Sequence, residues 1–380
     1  MRRLVLVGGG HAHLFVLRQL AQSRRRDVEV VFINPSLWQH YSGMLPGWMA
    51  GHYRLEDCRI DLRPLAAAAG ARFVGKAIVG MDADRRCVGL PDGRHVEYDL
   101  LSLDVGSETD REWLASLGER LLPVKPLAEF QTAWSCMLAE AKIRPGFRLL
   151  VVGGGAAGVE LVLAARCAFD RAGVMGNVAL VAGASGLLAG YVLSVRRCVA
   201  RVLEDAGVAV VPERAVGTED GVLLGDGQRL VADRVIATTG ARAPVWLTLS
   251  GLALDAHGYV AVDACHRSRS HMEVFAAGDV CARSDVTLAR SGVQAARAGP
   301  VLAYNLIAAL DERGLHPYQP CRYSLHLLTC GDRYAIASWG PWSAEGRWVW
   351  RWKDMIDRRF TRRFTAAEIG AAACAGEERS

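Results

Sequence analysis

Leu149-Leu150-Val151-Val152-Gly153-Gly154-Gly155-Ala156-Ala157-Gly158-Val159-Glu160 decides the fold. Four apolar residues in a row read as a buried strand that the glycines end. The spacing Gly153, Gly155, Gly158 is that of a dinucleotide-binding turn. Glycine accepts the positive φ such a turn needs and lets backbone approach a pyrophosphate closely. Ala157–Ala172 follows as a helix whose free N-terminal N–H groups suit phosphates, and Asn177–Val181 as the next strand. After that strand, Ala182-Gly183-Ala184-Ser185 offers no acidic residue and no arginine, so NADH and NADPH both remain open. Arg196 and Arg197 reach toward a 2′-phosphate in one reading and form a solvated helix face in the simpler one.

The pattern recurs 145 residues earlier, where Leu4–Val7 runs into Gly8-Gly9-Gly10. Leu14–Ala21 reads as the helix and Val28–Ile33 as the second strand, a βαβ unit of the size this fold requires. Two positions depart from the fingerprint. His13 holds the place of the third glycine, so its side chain should part helix from strand or point into the ligand site. Asn34 holds the place of the ribose-binding acid, and it still donates and accepts hydrogen bonds. A third strand, Val274–Ala277, ends at Gly278-Asp279. Asp279 then stands at a strand's C-terminal end, where ligands bind in open α/β sheets. Two dinucleotide sites in one chain imply electrons passing from one to the other.

The 380-residue length suggests two or three domains. A net charge of +5 permits an anionic ligand or membrane surface, but no nucleic-acid motif accompanies it, and nucleic acid is not expected. No run approaches ~20 apolar residues, so no membrane-spanning helix is expected. The apolar run after Met1-Arg2-Arg3 ends at Gly8, too short for a secretion signal. The ten cysteines are scattered without a CxxC pair, which points to reduced thiols in a cytoplasmic protein and to no metal site.

The last sixty residues differ. They carry Trp339, Trp342, Trp348, Trp350 and Trp352. Trp352, Met355, Ile356, Phe360 and Phe364 follow helical spacing as one apolar stripe, flanked by Arg358, Arg359, Arg362 and Arg363. Such a basic amphipathic helix suits a peripheral place on the inner membrane face; the alternative is packing on its own protein or a dimer partner.

Taken in order, the Gly8/Gly10 turn, Asp104-Val105-Gly106-Ser107, the Gly153/Gly155/Gly158 turn, Thr239-Gly240 and Ala277-Gly278-Asp279 resemble the pyridine nucleotide–disulfide oxidoreductase superfamily. His11-Ala12-His13, Tyr41–Gly47 with Ala50–Tyr53, and Trp350–Phe360 look like a narrower branch, related to type II NADH dehydrogenases and often fused to selenide, water dikinase. The His13 departure fits that branch. Arg290-Ser291 stands where the branch leads one to expect Lys-Ala. The resemblance implies FAD at the first site, NAD(P)H at the second, and Asp279 on the ribityl chain of the flavin. It also implies a cysteine pair after the first turn for disulfide chemistry, but this chain has His40, Tyr41 and Ser42 there.

The expected fold is therefore α/β, with two Rossmann-like domains and a small C-terminal domain. Residues 1–110 and 266–318 form the FAD domain, 145–245 the inserted NAD(P)H domain, and 319–380 the C-terminal region with the basic helix. Ala71–Val88 and Arg94–Tyr98 look like β-ribbon, and the segment 109–126 connects domains. Cofactor-binding residues are Gly8, Gly10, His13, Asn34, Ser42, Gly106, Gly153, Gly155, Gly158, Gly240, Gly278 and Asp279. Glu160 opens the second helix near the expected nicotinamide and is the titratable candidate for proton supply, with ribose binding or helix charge compensation as its other readings. The expected activity is hydride transfer from nicotinamide to flavin and on to a quinone-like acceptor. A sulfide or selenide oxidation through Cys167, Cys321 and Cys330, and a non-catalytic redox-sensing flavoprotein, are the alternatives. Oligomeric state is left open.

Overall fold

The computed structural model describes residues 1–23, 25–365 and 368. Cys374 and the end of the expected C-terminal region lie outside them.

The chain begins with β1 (Arg2–Val7), α1 (His11–Ser23), β2 (Val28–Ile33), β3 (Ala71–Val74) and β4 (Leu100–Leu103). A second run follows as β5 (Leu121–Pro123), β6 (Phe147–Val152), α2 (Ala156–Ala172), β7 (Gly176–Val181), β8 (Ala209–Val211) and β9 (Arg234–Ala237). Then come β10 (Val274–Ala276), α3 (Gly292–Leu310), β11 (Leu325–Thr329), β12 (Ala335–Trp339), β13 (Trp342–Gly346) and α4 (Arg347–Arg362).

Two five-stranded sheets result, in the order β10-β4-β1-β2-β3 and β5-β9-β6-β7-β8. Every pairing in both is parallel. In each, the glycine-ended strand is central and the next strand lies on one side of it while a later one lies on the other. That reversal opens a crevice at the strands' C-terminal ends.

The strands are apolar without alternation because both faces are covered. Alternate residues still sort by face. Leu4, Leu6, Val30 and Phe32 pack with α1 and α3, whereas Val5, Val7, Val31 and Ile33 pack with Met81, Val88 and Tyr259. In the second sheet Leu149 and Val151 join α2, while Leu150 and Val152 join Leu114, Val222 and Leu224. The fully buried Phe32 contributes about 1.5–3 kcal/mol by leaving water.

Three expectations need correcting. Leu121–Pro123, read within a connecting segment, is an edge strand of the second sheet, paired with β9. Ala71–Val74, read as part of a ribbon, is the edge strand of the first sheet. The ribbon itself is Gly80–Asp82, Cys87–Gly89 and His95–Glu97.

The third difference concerns α4. The five residues read as one stripe do not share an environment. Phe364 is buried and Phe360 packs on Tyr41 and Phe15, whereas Met355 is 59% exposed and Ile356 37%. The buried face instead carries Lys353 and Asp357, whose charges meet each other and partners supplied by the first domain. An outer apolar surface remains, made of Trp348, Met355 and Ile356 on α4, with Trp339 and Trp342 at the β12–β13 turn. Among the described residues, no helix is long and apolar enough to cross a membrane.

Candidate active site

The second glycine turn is built as its spacing requires. Gly153 has φ +129°, and a side chain there would meet Thr238. A Cβ on Gly158 would fall 1.7 Å from the Gly153 carbonyl oxygen, so helix and strand touch backbone to backbone. At Gly155 a Cβ would meet nothing, because the turn opens into a cleft there. Val159 N–H bonds to Gly155 C=O, which leaves the earlier amides of α2 outside the helix ladder and available to phosphate.

The first turn is held differently. Gly9 N–H donates to Asn34 Oδ1 (2.8 Å) and Asn34 Nδ2 donates to Ser36 C=O (2.6 Å). The Asn34 side chain is thus engaged in bracing the turn. Asp104, at the end of β4, accepts from His13 N–H at 2.9 Å. It also explains two glycines at once: a Cβ on Gly10 would lie 2.3 Å, and one on Gly278 2.6 Å, from its carboxylate. Burial pushes the Asp104 carboxyl up to about 7, with the charge of Asp279 adding and the amides of His13 and Ala12 opposing. A carboxyl partly neutral near pH 7 repels a neighbouring pyrophosphate less than an ordinary aspartate does.

His13 does not enter the cleft; its ring lies between α1 and the sheet. It is fully buried, with Nδ1 2.6 Å from Gly8 C=O and Nε2 2.8 Å from Ser102 Oγ. Burial lowers it to about 4, so the ring is neutral. Gly8 C=O can only accept, so Nδ1 carries the proton and Nε2 accepts from Ser102. The position of the third glycine has become a polar strut beneath the turn.

The second turn and His11, the residue that follows the first turn, border one cleft of about 750 Å³. Of the residues singled out from the sequence, Ser42, Gly153, Gly155, Glu160, Gly240 and Asp279 line it. Gly8, Gly10, His13, Asn34, Gly106, Gly158 and Gly278 do not border it.

Among the lining residues to which the sequence assigned no role are His11, Lys125 and Arg290. Lys125 Nζ lies 2.8 Å from Asp279 Oδ2 and 2.8 Å from Ser107 Oγ, tying the second unit to the first. It stands two residues beyond β5, and the signal missed was a cation at the exit of that strand. His11 has an imidazole Nε2 that is buried without a partner. Burial lowers His11 to about 4, against the pull of Asp279. Arg290 lies over the Tyr259 ring at 3.5 Å, and Ser291 beside it caps α3 by accepting from Gln294 N–H. The Arg290-Ser291 departure thus has a local structural use.

Glu160 accepts from Thr329 N–H at 2.8 Å. Burial raises its carboxyl to about 7, with Lys353 opposing. None of Cys167, Cys321 and Cys330 borders the cleft; Cys321 is exposed, and Cys167 and Cys330 line a separate surface pocket.

A flavin dinucleotide and a nicotinamide nucleotide fit these residues. The Gly155 and Gly240 edges are open. His11 Nε2 is an unpaired buried polar atom, and Asp279 Oδ1 has no partner among the described residues. Two parallel sheets, each with a central strand ending in a glycine turn, and with His11 and Asp279 of the first sharing a cleft with Gly153–Gly155 of the second, define a two-nucleotide oxidoreductase. The chain belongs to the pyridine nucleotide-disulphide oxidoreductase family, which it matches over residues 2–305. Its cofactors are FAD and NAD(P)H.

Relatives include a probable ferredoxin reductase of Castellaniella defragrans, 27% identical over 295 residues, covering 74% of this chain and 68% of the relative. An NADH dehydrogenase-like protein of Mycobacterium tuberculosis is 28% identical over 300 residues, covering 74% and 73%. The sulfide:quinone oxidoreductase structure from Aquifex aeolicus shares the fold, with a TM-score of 0.80 at 16% identity, covering 97% of this chain and 92% of that one.

Proposed function

We propose that the protein is an NAD(P)H-oxidising flavoenzyme that reduces a quinone-like acceptor. The observation that carries this reading is the buried Glu160 carboxyl, raised to about 7, on the same cleft as the Lys125–Asp279 pair. The flavin and the nicotinamide, when bound, would supply the hydride-transfer and electron-carrying chemistry. The chain supplies the rest. Asp279 would accept from flavin hydroxyls, the Gly8–His11 turn and α1 would hold the pyrophosphate, and Gly153–Gly158 with α2 would hold the nicotinamide nucleotide. Residues 1–110 and 266–318 are then the FAD domain, 145–245 the NAD(P)H domain and 319–380 the C-terminal region.

Acceptor chemistry separates the readings. A quinone takes up protons with its electrons, whereas a ferredoxin takes electrons alone. A carboxyl that still holds a proton near pH 7 serves the first and is idle in the second. The outward Trp339, Trp342 and Trp348 surface, with Arg359, Arg362 and Arg363 exposed nearby in sequence, suits an acceptor that resides in lipid. The cleft holds no cysteine among its lining residues, which weighs against a thiol route.

The test is anaerobic titration with NADH and NADPH, followed by comparison of a short-chain quinone with a ferredoxin. Flavin bleaching and quinone turnover are expected. Glu160 is protonated below about 7 and ionised above, so its proton donation is lost as pH rises through that value. Glu160→Gln should slow quinone reduction by roughly 10²-fold or more at pH 6 and flatten that limb of the pH profile. Faster reduction of ferredoxin, with Glu160→Gln unchanged, would reject the quinone assignment.

Asp279→Ala should weaken FAD binding by about 1.5–3 kcal/mol, the worth of a hydrogen bond to a charged acceptor. Flavin retention through gel filtration measures it, and unchanged retention would remove Asp279 from the site.

A further inference from the structure

Away from the cleft, three segments distant in sequence meet beside an open pocket of about 530 Å³ that Cys167 and Asp332 line. Cys167 comes from α2, Asp332 from the β11–β12 turn, and His52 from the loop after Leu45–Met49. Their donor atoms all lie within 4.8 Å of one another, and His52 Nε2 is 3.4 Å from Asp332 Oδ1.

The imidazole of His52 is the second observation. Its side chain is 0% exposed, yet Nδ1 has no hydrogen-bond partner and Nε2 has only the long 3.4 Å contact to the Asp332 carboxylate. Burying such a group without partners costs free energy, so a structure that retains one points to a missing ligand. The ring is also fixed, packed edge-on against Trp350 at 5.6 Å. We propose that His52, Cys167 and Asp332 bind a zinc ion, with water from the open pocket as the fourth ligand.

The donor set selects the metal. Zinc is a borderline acid that takes imidazole, thiolate and carboxylate at about 2.0–2.3 Å, with donors roughly 3.3–3.8 Å apart in a tetrahedron. The His52–Asp332 distance already meets this, and Asp332, two-thirds exposed, is free to swing. Binding displaces the Cys167 thiol proton to solvent, and the thiolate and carboxylate together neutralise the ion. His52 is held neutral, the ligating form, by burial, with Arg171 and Arg333 reinforcing and Asp332 opposing. Those two guanidinium groups are directed elsewhere: Arg171 donates to Ala50 C=O, and Arg333 lies over the Trp350 ring.

The position gives the ion a task. Cys167 lies two helical turns beyond Glu160 on α2, about 10 Å along the axis, and Asp332 follows Thr329, whose amide holds Glu160. Zinc here fastens the C-terminal sheet to the helix that presents Glu160. The expectation of no metal arose because residues 52, 167 and 332 share no sequence spacing.

The full-length flavin-loaded protein, stripped with a chelator and dialysed, should take up one zinc per chain. Asp332→Asn and Cys167→Ala should each loosen it by more than the roughly 10–100-fold typical of losing an outer-shell partner. Cobalt in place of zinc should show thiolate charge transfer that vanishes in Cys167→Ala, while Cys136→Ala and Cys321→Ala leave it intact. Asp332 is exposed, so Asp332→Asn should keep flavin content and melting of the metal-free protein unchanged. Wild type that takes up no zinc, or uptake equally tight in Asp332→Asn and Cys167→Ala, overturns the proposal.

Discussion

Replacing Lys353 with methionine should destabilise the protein by roughly 3–5 kcal/mol, the cost of leaving one member of a buried ion pair alone. Lys353 and Asp357 are only 6% and 4% exposed, one helical turn apart on α4, with Nζ 2.6 Å from Asp357 Oδ2. Lys353 also donates to Gly43 C=O at 2.5 Å, and Tyr41 O–H donates to Asp357 Oδ1 at 3.0 Å. Four polar groups from two distant parts of the chain satisfy one another. In Lys353→Met, Asp357 keeps only the tyrosine and Gly43 C=O loses a donor.

Because Ser42 and Gly43 line the cleft, loosening α4 should also speed flavin loss. Thermal melting followed by flavin fluorescence measures both effects. The double variant Lys353→Met with Asp357→Leu removes both charges and should recover part of the loss, since no lone buried charge remains. If the single variant melts like wild type, the pair is solvated in solution and α4 is held by its aromatic contacts alone.

The same pair shows where sequence reading stops. The strands and glycine turns were legible because they are local: an apolar run, a turn chemistry and a helix fall within about fifteen residues. Lys353 and Asp357 look like ordinary surface charges at i, i+4. Only the arrival of Tyr41 and Gly43 from more than 300 positions away makes them interior. Phe360 and Phe364 turn inward with them, and Met355 and Ile356 are left outside, so the apolar stripe divides.

Asp104 carries a similar lesson. Gly10 and Gly278 are glycines partly because this carboxylate lies between them, a relation among three strand ends that no spacing encodes. Lys125 was hidden because the edge strand before it is three residues long and was read as connection. His13 and Asn34 were visible as departures, but their partners, Ser102 and the Gly9 amide, were not.

The second glycine turn gives the other large expected effect, and two alanine variants divide it into parts. In Gly158→Ala the new Cβ would stand 1.7 Å from Gly153 C=O and 2.9 Å from Thr238 Oγ1. The closest of these atoms is backbone at a strand end, which cannot rotate aside. Overpacking of this kind costs about 1–3 kcal/mol or more. The start of α2 must move off the strand, and its free amides leave the phosphate position. Affinity for NAD(P)H should fall at least ~10²-fold, about 2.8 kcal/mol at 1.4 kcal/mol per tenfold, with some loss of Tm.

Gly155→Ala is the contrast. Gly155 has φ −75°, which any residue adopts, and its Cβ would meet nothing within 4 Å. The protein alone should accept that methyl group with unchanged Tm. A nucleotide lying against the turn should not, because its pyrophosphate needs the space that the methyl fills. NADH binding should therefore weaken in both variants, with stability lost only in Gly158→Ala and bound flavin retained in both, since the first turn is a separate structure. If Gly155→Ala binds NADH as wild type does, the nucleotide does not approach this turn, and the reading of the second site must change even though its fold stands.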